Sequence, residues 1–345
     1  MTKPTWIICG NFGAGNLGDE AILRGLLELW GKDKNLIIMS ANPAETELKF
    51  GIKAIHRLPS GIRSTLKSWI CPVTRPKIRK AREALKNCDR FILGGGTLLT
   101  DEPLKSMFVW GKQIKGALKY NKKIEIYANG IGPLNSKWAQ KKAKSLLEKA
   151  DKISVRDEKS LEWTNSLGIK QVELVDDPAL HLKELKFQGL KKFSKNTIIL
   201  TPRFWKSGQK QTLNSLKKFV QYLCVEQGKY MVGIPFEKAN KKDLNLLSKI
   251  FDQQGVRNQS EIWANYKSEE EVLGVIQQAE LLVGMRLHSL VFAHLTNTPF
   301  ISIAYMEKVS AIVKTLGSQN PIIELKDLSF EKLKQAYERL SAKVS

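Results

Sequence analysis

The stretch ICGNFGAGNLGDEAIL, residues 8–23, decides the fold. The apolar run Trp6–Cys9 reads as a buried strand, and it empties into a loop with four glycines and two asparagines. An acidic pair, Asp19 and Glu20, comes next. A helix follows over 19–30, with Ile22, Leu23, Leu26, Leu27 and Trp30 on one face. The order resembles a nucleotide-binding turn, yet the loop has neither the G-x-G-x-x-G spacing nor the Walker lysine. Neither a dinucleotide nor ATP is therefore indicated as its ligand.

The same alternation runs along the whole chain. Strands are expected at Leu36–Ser40, Phe91–Leu93, Ile124–Ala128, Ile153–Val155 and Val172–Val175, with helical-period segments between them. Segment 157–167 stops at Gly168, a residue suited to the position after a helix. The second half repeats the pattern with strands at Thr197–Leu200, Tyr230–Ile234, Leu281–Val283, Phe300–Ala304 and Ile322–Leu325. Helices are expected there near 211–227, 241–254, 269–278, 286–296 and 329–343. Short continuous apolar strands between helices mean a parallel sheet covered on both faces. The reading is an α/β chain of two doubly wound, Rossmann-like domains, 1–182 and 197–345, facing a cleft. KELKFQGLKKFSKN, 183–196, is the linker. Ligands of such sheets bind beyond the carboxyl ends of the strands, so functional residues should lie in loops just after strands.

Bulk composition narrows the class. With 345 residues, 42% hydrophobic and 26% charged, the chain can build two sizeable cores. No apolar run approaches the roughly 18 residues of a membrane span. MTKPTWIICG enters a strand without a signal-peptide pattern, so a cytoplasmic protein is expected. Its four cysteines, Cys9, Cys71, Cys88 and Cys224, are scattered and suggest neither a disulfide framework nor a zinc site. The net charge of +22 concentrates polyanions or anionic surfaces, unless it reflects only a general lysine habit. Residues 57–90 hold ten Lys/Arg and two acids, with Leu66, Trp69, Ile70 and Val73 interspersed. They read either as a peripheral anchor to anionic lipid at the inner face of the plasma membrane or as a solvated basic helix with a proline loop. No helix-turn-helix, RNP or zinc signature is present, so nucleic acid is not an expected partner.

Strand-to-helix loops leave a short list of residues for chemistry. The first domain offers Gly10, Gly13, Gly15, Asn16, Gly18, Asp19 and Glu20, then Gly94, Gly95, Gly96, Thr97 and Asp101, then Arg156 and Asp157. The second offers Arg203, Arg286, His288, Tyr305 and Lys308. Three glycine-rich turns at one sheet edge allow the backbone to approach a ligand closely, or simply to turn tightly. Helix N-termini and arginines both hold anions, which points to a small, highly charged anion near Arg156, Arg286 and Lys308. His288 begins a helix and is placed for acid–base work, although a lone histidine is often a hydrogen-bonded core group. His288 and His294 are six apart and cannot share a metal, and carboxylates do not cluster, so no metal is expected.

The motifs GNFGAGNLGDEAIL, GGGTLLTD, ANGIGPL, SVRDEKSLEWTNSLGI, DDPAL and GMRLHSLVFAHLTNTPFISIAYMEKV occur in one order across roughly positions 8–310. In this they resemble the polysaccharide pyruvyl transferase family, most closely its cell-surface-anchoring, CsaB-like branch. The resemblance implies a GT-B-like pair of Rossmann-type domains. It also implies transfer of a pyruvyl group from phosphoenolpyruvate to two hydroxyls of one sugar, as a cyclic ketal. Phosphoenolpyruvate is then the donor substrate, no further cofactor is needed, and the acceptor is a glycan or lipid-linked glycan. The family's Arg-Leu-His motif falls on Arg286 and His288, its Ser-x-Arg-Asp on Arg156 and its late lysine on Lys308. His288 is the expected acid/base and Asp19 the expected orienter or base for the sugar hydroxyl. Arg156, Arg203, Arg286, Lys308, Asn16, Gly13, Gly95, Gly96 and Thr97 are the expected substrate contacts, with the first domain on the acceptor side. Asn11 stands where members often carry an aromatic, and Met306 and Glu307 where they often carry Asp-Pro. Sugar stacking at 11 and an acid at 306 are therefore not carried over.

Two rival readings remain at this stage. A GT-B glycosyltransferase using a nucleotide sugar would hold ribose with an E-x7-E pair, a spacing that Glu261 and Glu269 have and that Glu20 and Glu28 match by chance. A basic nucleic-acid-binding protein is the non-enzymatic rival.

Overall fold

The computed structural model describes residues 3–60, 74–184, 191–193, 196–205, 208–316 and 319–342, without the side chains of Glu184 and Lys308. By its contacts the chain divides into two compact units. One is Met1–Ala14 with Asp19–His181, the other Gly15–Gly18 with Leu182–Ser345.

The first unit holds β1 Thr5–Cys9, β2 Asn35–Ser40, β3 Ala54–His56, β4 Arg90–Gly94, β5 Thr97–Leu99, β6 Lys123–Ile131, β7 Lys152–Val155 and β8 Glu173–Leu174. They form a parallel sheet ordered β3-β2-β1-β4-β6-β7-β8, with β5 added beside β6. The second unit holds β9 Thr197–Thr201, β10 Tyr230–Gly233, β11 Ser260–Ile262, β12 Leu281–Gly284, β13 Phe300–Ala304 and β14 Ile322–Glu324. Its order is β11-β10-β9-β12-β13-β14, again parallel. Each sheet starts in the middle, grows one way for three strands and then the other. That is the doubly wound α/β arrangement of Rossmann type. Its switch point falls between β1 and β4 in one unit and between β9 and β12 in the other.

Burial explains the strands. Ile7, Ile8 and Cys9 are consecutive and wholly buried, so both faces of β1 are covered, and β9 is buried along its length. On one face of the first sheet the helices Thr74–Asn87, Lys105–Leu118 and Lys137–Leu147 bring Leu85, Trp110, Ile114 and Leu146 onto Cys9, Phe91 and Leu93. In the second unit Leu216, Phe219, Leu247 and Ile250 close the core over Ile198 and Val283. Helix starts are capped by side chains. Asp157 accepts from the Ser160 amide, and Ser136, Ser268 and Ser329 do the same for their helices. Cys9, Cys88 and Cys224 are buried thiols, and burial pushes the Cys9 thiol up to about 12. Cys71 lies outside the described residues.

Some elements were not legible in the sequence. β3, β5 and β11 have three residues each, too few to show a period. The helix Pro43–Phe50 buries only Thr46 and so has no apolar stripe, although Pro43 suits its first turn. Of the basic segment 57–90, residues 61–73, including Leu66, Trp69, Ile70 and Val73, lie outside the described residues. No helix among the described residues is long and apolar enough to cross a membrane.

Candidate functional site

In the first unit, Arg156 leaves the end of β7 and is buried, its side chain 3% exposed. Its Nη1 donates to Asp177 Oδ2 at 2.6 Å and its Nη2 to Thr97 Oγ1 at 3.2 Å, while Nε lies 3.9 Å from Asp157 Oδ2. Burial pulls the guanidinium pKa down, but Asp177 and Asp157 outweigh it and the net shift is upward. Asp177 also accepts from the Ala179 amide, so the arginine ties β7 and β5 to the turn Pro178–Glu184.

The glycine loop of this unit is braced from within. The Gly13 amide donates to Glu20 Oε1 at 2.7 Å, and Asn11 Nδ2 donates to Asp19 Oδ2 at 2.8 Å. Gly95 has a positive φ, and a Cβ there would lie 2.0 Å from Ile22 Cγ2, so this turn is glycine for packing. At Gly96 a Cβ would come 3.2 Å from Asp19 Oδ1. Arg57, just past β3, donates through Nη1 to the Gly10 carbonyl at 3.2 Å and lies over the Trp110 ring. Burial lowers its pKa, opposed by Cys9 and Asp19. Thus Asp19, Gly96, Thr97 and Arg156 gather at one sheet end, whereas Gly13 and Gly95 serve the turn.

In the second unit, Arg286 follows β12 and is buried. Its Nε and Nη2 fork onto the two oxygens of Asp243 at 2.9 and 2.8 Å, and Nη2 also reaches Glu237 Oε2 at 2.8 Å. Asp243 is wholly buried. Burial again pulls the arginine pKa down and the two carboxylates carry it above its ordinary value. His288 lies in the first turn of the helix Leu287–Leu295. The segment Gly15–Gly18 runs beside Phe236–Lys238: the Leu17 amide donates to Phe236 O, the Lys238 amide to Gly15 O, and Asn16 bridges Glu237. Asn16 Oδ1 accepts from the Gly18 amide. A Cβ on Gly18 would sit 2.2 Å from His288 Nδ1. Only glycine lets the loop seat against that imidazole.

Arg203, just past β9, is differently placed. Its Nη1 donates to the Tyr305 hydroxyl at 2.8 Å, its guanidinium lies 4.5 Å from the Tyr305 ring centroid, and Trp205 packs on the same tyrosine. Its amide touches Met285 Sδ, which places it beside the start of the His288 helix. Among the described residues no carboxylate pairs with it. Lys308 is in the helix Glu307–Thr315, but its side chain lies outside the described residues.

Sequence reasoning met Asp177 only as part of the DDPAL motif, without a role, and passed over Glu237, Asp243 and Arg57. Asp243 carried one signal, an acid in a first helical turn after a strand. Arg57 carried none, because β3 itself was invisible. Among the described residues no three His, Cys, Asp or Glu gather as metal ligands would. Glu261 and Glu269 are engaged separately: Glu261 pairs with Lys191, and Glu269 is wholly buried at a helix start.

A family model described as polysaccharide pyruvyl transferase matches residues 16–307. Several solved structures share the two-unit GT-B fold. S. aureus MnaA, in a co-structure with UDP, has 15% identity and a TM-score of 0.67, covering 99% of this chain and 88% of that one. The UDP-GlcNAc 2-epimerase of Methanocaldococcus jannaschii has 14% identity and a TM-score of 0.63, covering 97% and 92%. HepE of Anabaena, in complex with UDP-glucose, has 9% identity and a TM-score of 0.58, covering 98% and 99%. At these identities the likeness is one of fold. A comparison with curated proteins finds no matching relative.

Proposed function

The chain belongs to the polysaccharide pyruvyl transferase family, and on that premise we propose that it moves a pyruvyl group from phosphoenolpyruvate onto a sugar diol, forming a cyclic ketal. The acceptor is a glycan or a lipid-linked glycan precursor, and the reaction belongs in the cytoplasm. One observation carries the donor assignment. At the switch point of the second sheet, Arg203 keeps most of its donors clear of carboxylates among the described residues, beside the N-terminus of the His288 helix. A carboxylate and a phosphate on adjacent carbons suit that combination of a guanidinium and a helix start.

The steps follow from the donor's chemistry. A proton is delivered to the methylene carbon, which becomes methyl and leaves C2 electron-poor. One sugar hydroxyl adds at C2 and gives up its proton, phosphate departs with its bridging oxygen, and the second hydroxyl adds at C2 and gives up its own proton, closing the ketal. His288 is our candidate for the group that delivers and collects these protons. Asp19, next in the chain after the glycine that seats His288, is our candidate for orienting the acceptor hydroxyl. Arg286 and Arg156, each held by a carboxylate through part of its guanidinium, fix their loops in this reading and offer substrate only the N–H groups left over. Lys308 and Asn16 remain proposed substrate contacts.

Mass spectrometry tests the reading: candidate lipid-linked glycans incubated with enzyme and phosphoenolpyruvate should gain the mass of pyruvic acid less that of water. Phosphoenolpyruvate should also raise the melting temperature and UDP-glucose should not. The reverse pattern of protection, with no ketal product, would replace this reading with a nucleotide-sugar enzyme.

A further inference from the structure

The helices Thr74–Asn87, Lys105–Leu118 and Lys137–Leu147 pack side by side on one face of the first unit's sheet. Together they carry thirteen Lys/Arg and one acid, Glu83. Two glycines of the middle helix keep the layer close, since a Cβ on Gly111 would lie 3.3 Å from Leu146 and one on Gly116 3.4 Å from Leu85. The two helices that cover the other face, Leu17–Trp30 and Pro43–Phe50, carry two Lys/Arg and five acids. The next helix along the chain, Glu158–Ser166, whose Leu161 and Trp163 pack on the same core as the three, has one lysine and two glutamates and bounds the basic stretch. A general lysine habit would spread over all of them. The positive charge here has a side.

That side also displays apolar groups. Phe108 is 51% exposed, Trp138 42% and Leu104 50%, half of the large hydrophobic residues found exposed among the described ones. The Phe108 and Trp138 rings stack on each other, centroids 5.1 Å apart and planes 28° from parallel. Lys105, Lys112, Lys137 and Lys141 surround them, all exposed. Lys142 is crowded as well: partial burial first, then Lys115 and Lys149, lower its pKa. The acids that border these helices among the described residues sit at their ends: Glu148 pairs with Lys144, and Asp101 and Glu102 hold the start of the third helix.

We propose that this three-helix face docks on an anionic lipid bilayer, with Leu104, Phe108 and Trp138 entering the headgroup boundary and the surrounding Lys/Arg lying over acidic headgroups. Charge alone would also suit a nucleic acid. The apolar groups favour the bilayer, because Phe108 and Trp138 each spend one face on the other and the exposed Leu104 beside them offers nothing on which a base could stack. Docking needs no assumption about the reaction.

The test is co-sedimentation of the full chain with phosphatidylcholine vesicles, with and without phosphatidylglycerol. Binding is expected only with phosphatidylglycerol, and high salt should release it. Reversing four exposed charges together, Arg79→Glu, Arg82→Glu, Lys112→Glu and Lys141→Glu, should weaken it roughly a hundredfold or more. The double variant Phe108→Ser, Trp138→Ser should weaken it by about tenfold while the melting curve stays put. Equal recovery on neutral vesicles would overturn the proposal. So would vesicle binding that ignores the aromatic variant and is displaced by duplex DNA, which would mark a polyanion surface instead.

Discussion

Arg286 and Arg203 follow neighbouring, paired strands of one sheet at the same distance from each strand's end, yet they are in opposite states. Arg286 is buried and forked onto Asp243, with Glu237 on the same nitrogen. Arg203 has a tyrosine hydroxyl and two aromatic rings for company. Arg156, at the end of the first unit's β7, repeats the state of Arg286 with Asp177 and Asp157. A cation at the end of a strand is thus not yet an anion ligand. Whether another loop brings a carboxylate to it sets how many of its N–H groups remain to offer a ligand.

The comparison breaks most easily at the paired arginines, where the expected effects are largest. Arg286→Met leaves Asp243 charged, buried and unpaired, and should lower the unfolding free energy by about 3–5 kcal/mol. Arg156→Met should do the same through Asp177. Chemical denaturation measures both. An Arg286→Met protein as stable as the parent, defective only in donor binding, would make Arg286 a ligand and erase the distinction.

His288→Asn is expected to leave stability and donor KM nearly unchanged and to lower kcat by about 10²–10⁴-fold. A raised KM with an intact kcat would assign it to donor binding, and an early melt to structure. Steady-state kinetics beside a melting curve separates the three.

Arg203→Met sharpens the contrast with Arg286. Loss of a charge-assisted contact is about 1.5–3 kcal/mol, or roughly ten- to a hundredfold in donor KM, with stability within about 0.5 kcal/mol of the parent. Calorimetric titration with phosphoenolpyruvate reads the first quantity. An unchanged affinity would leave the cationic end of the second sheet without a function.

The smallest effect sets a histidine of the first unit against His288. Burial, then Lys77, lowers the His56 pKa below 6.5. The folded state therefore resists protonation that the unfolded state accepts. His56's contribution to stability is fully present above pH 6.5 and is lost as pH falls through the lower folded value. His56→Gln should flatten that part of the stability profile. A profile steepened by the substitution would contradict the sign.

Much of this was legible along the chain. Ile7, Ile8 and Cys9 announce a strand covered on both faces because their apolar side chains are consecutive. Glycines 10, 13, 15 and 18 announce a loop whose backbone turns tightly or approaches a ligand closely, because they carry no Cβ. Arg203, Arg286 and His288 could be picked out because helices begin just after buried strands, and the strand-end rule sends functional residues there. β3 and Arg57 were not legible, since three residues carry no period. Gly18 was legible as part of a turn, but not as the seat of His288, which lies 270 positions further on.

The sequence by itself determined the alternation of strand and helix, hence two parallel sheets, and the family to which the chain belongs. These depend on local periodicity and on short contiguous motifs. Tertiary structure decided which cations are paired with carboxylates. Asp177 is 21 positions from Arg156, and Asp243 is 43 from Arg286. No local pattern couples residues so far apart, and only the folding of the strands beside one another brings each carboxylate within hydrogen-bonding distance. Tertiary structure also gathered thirteen Lys/Arg from three separate helices onto one face. The net charge of +22 gives their excess but not their side, because charge is additive along a chain and direction is not.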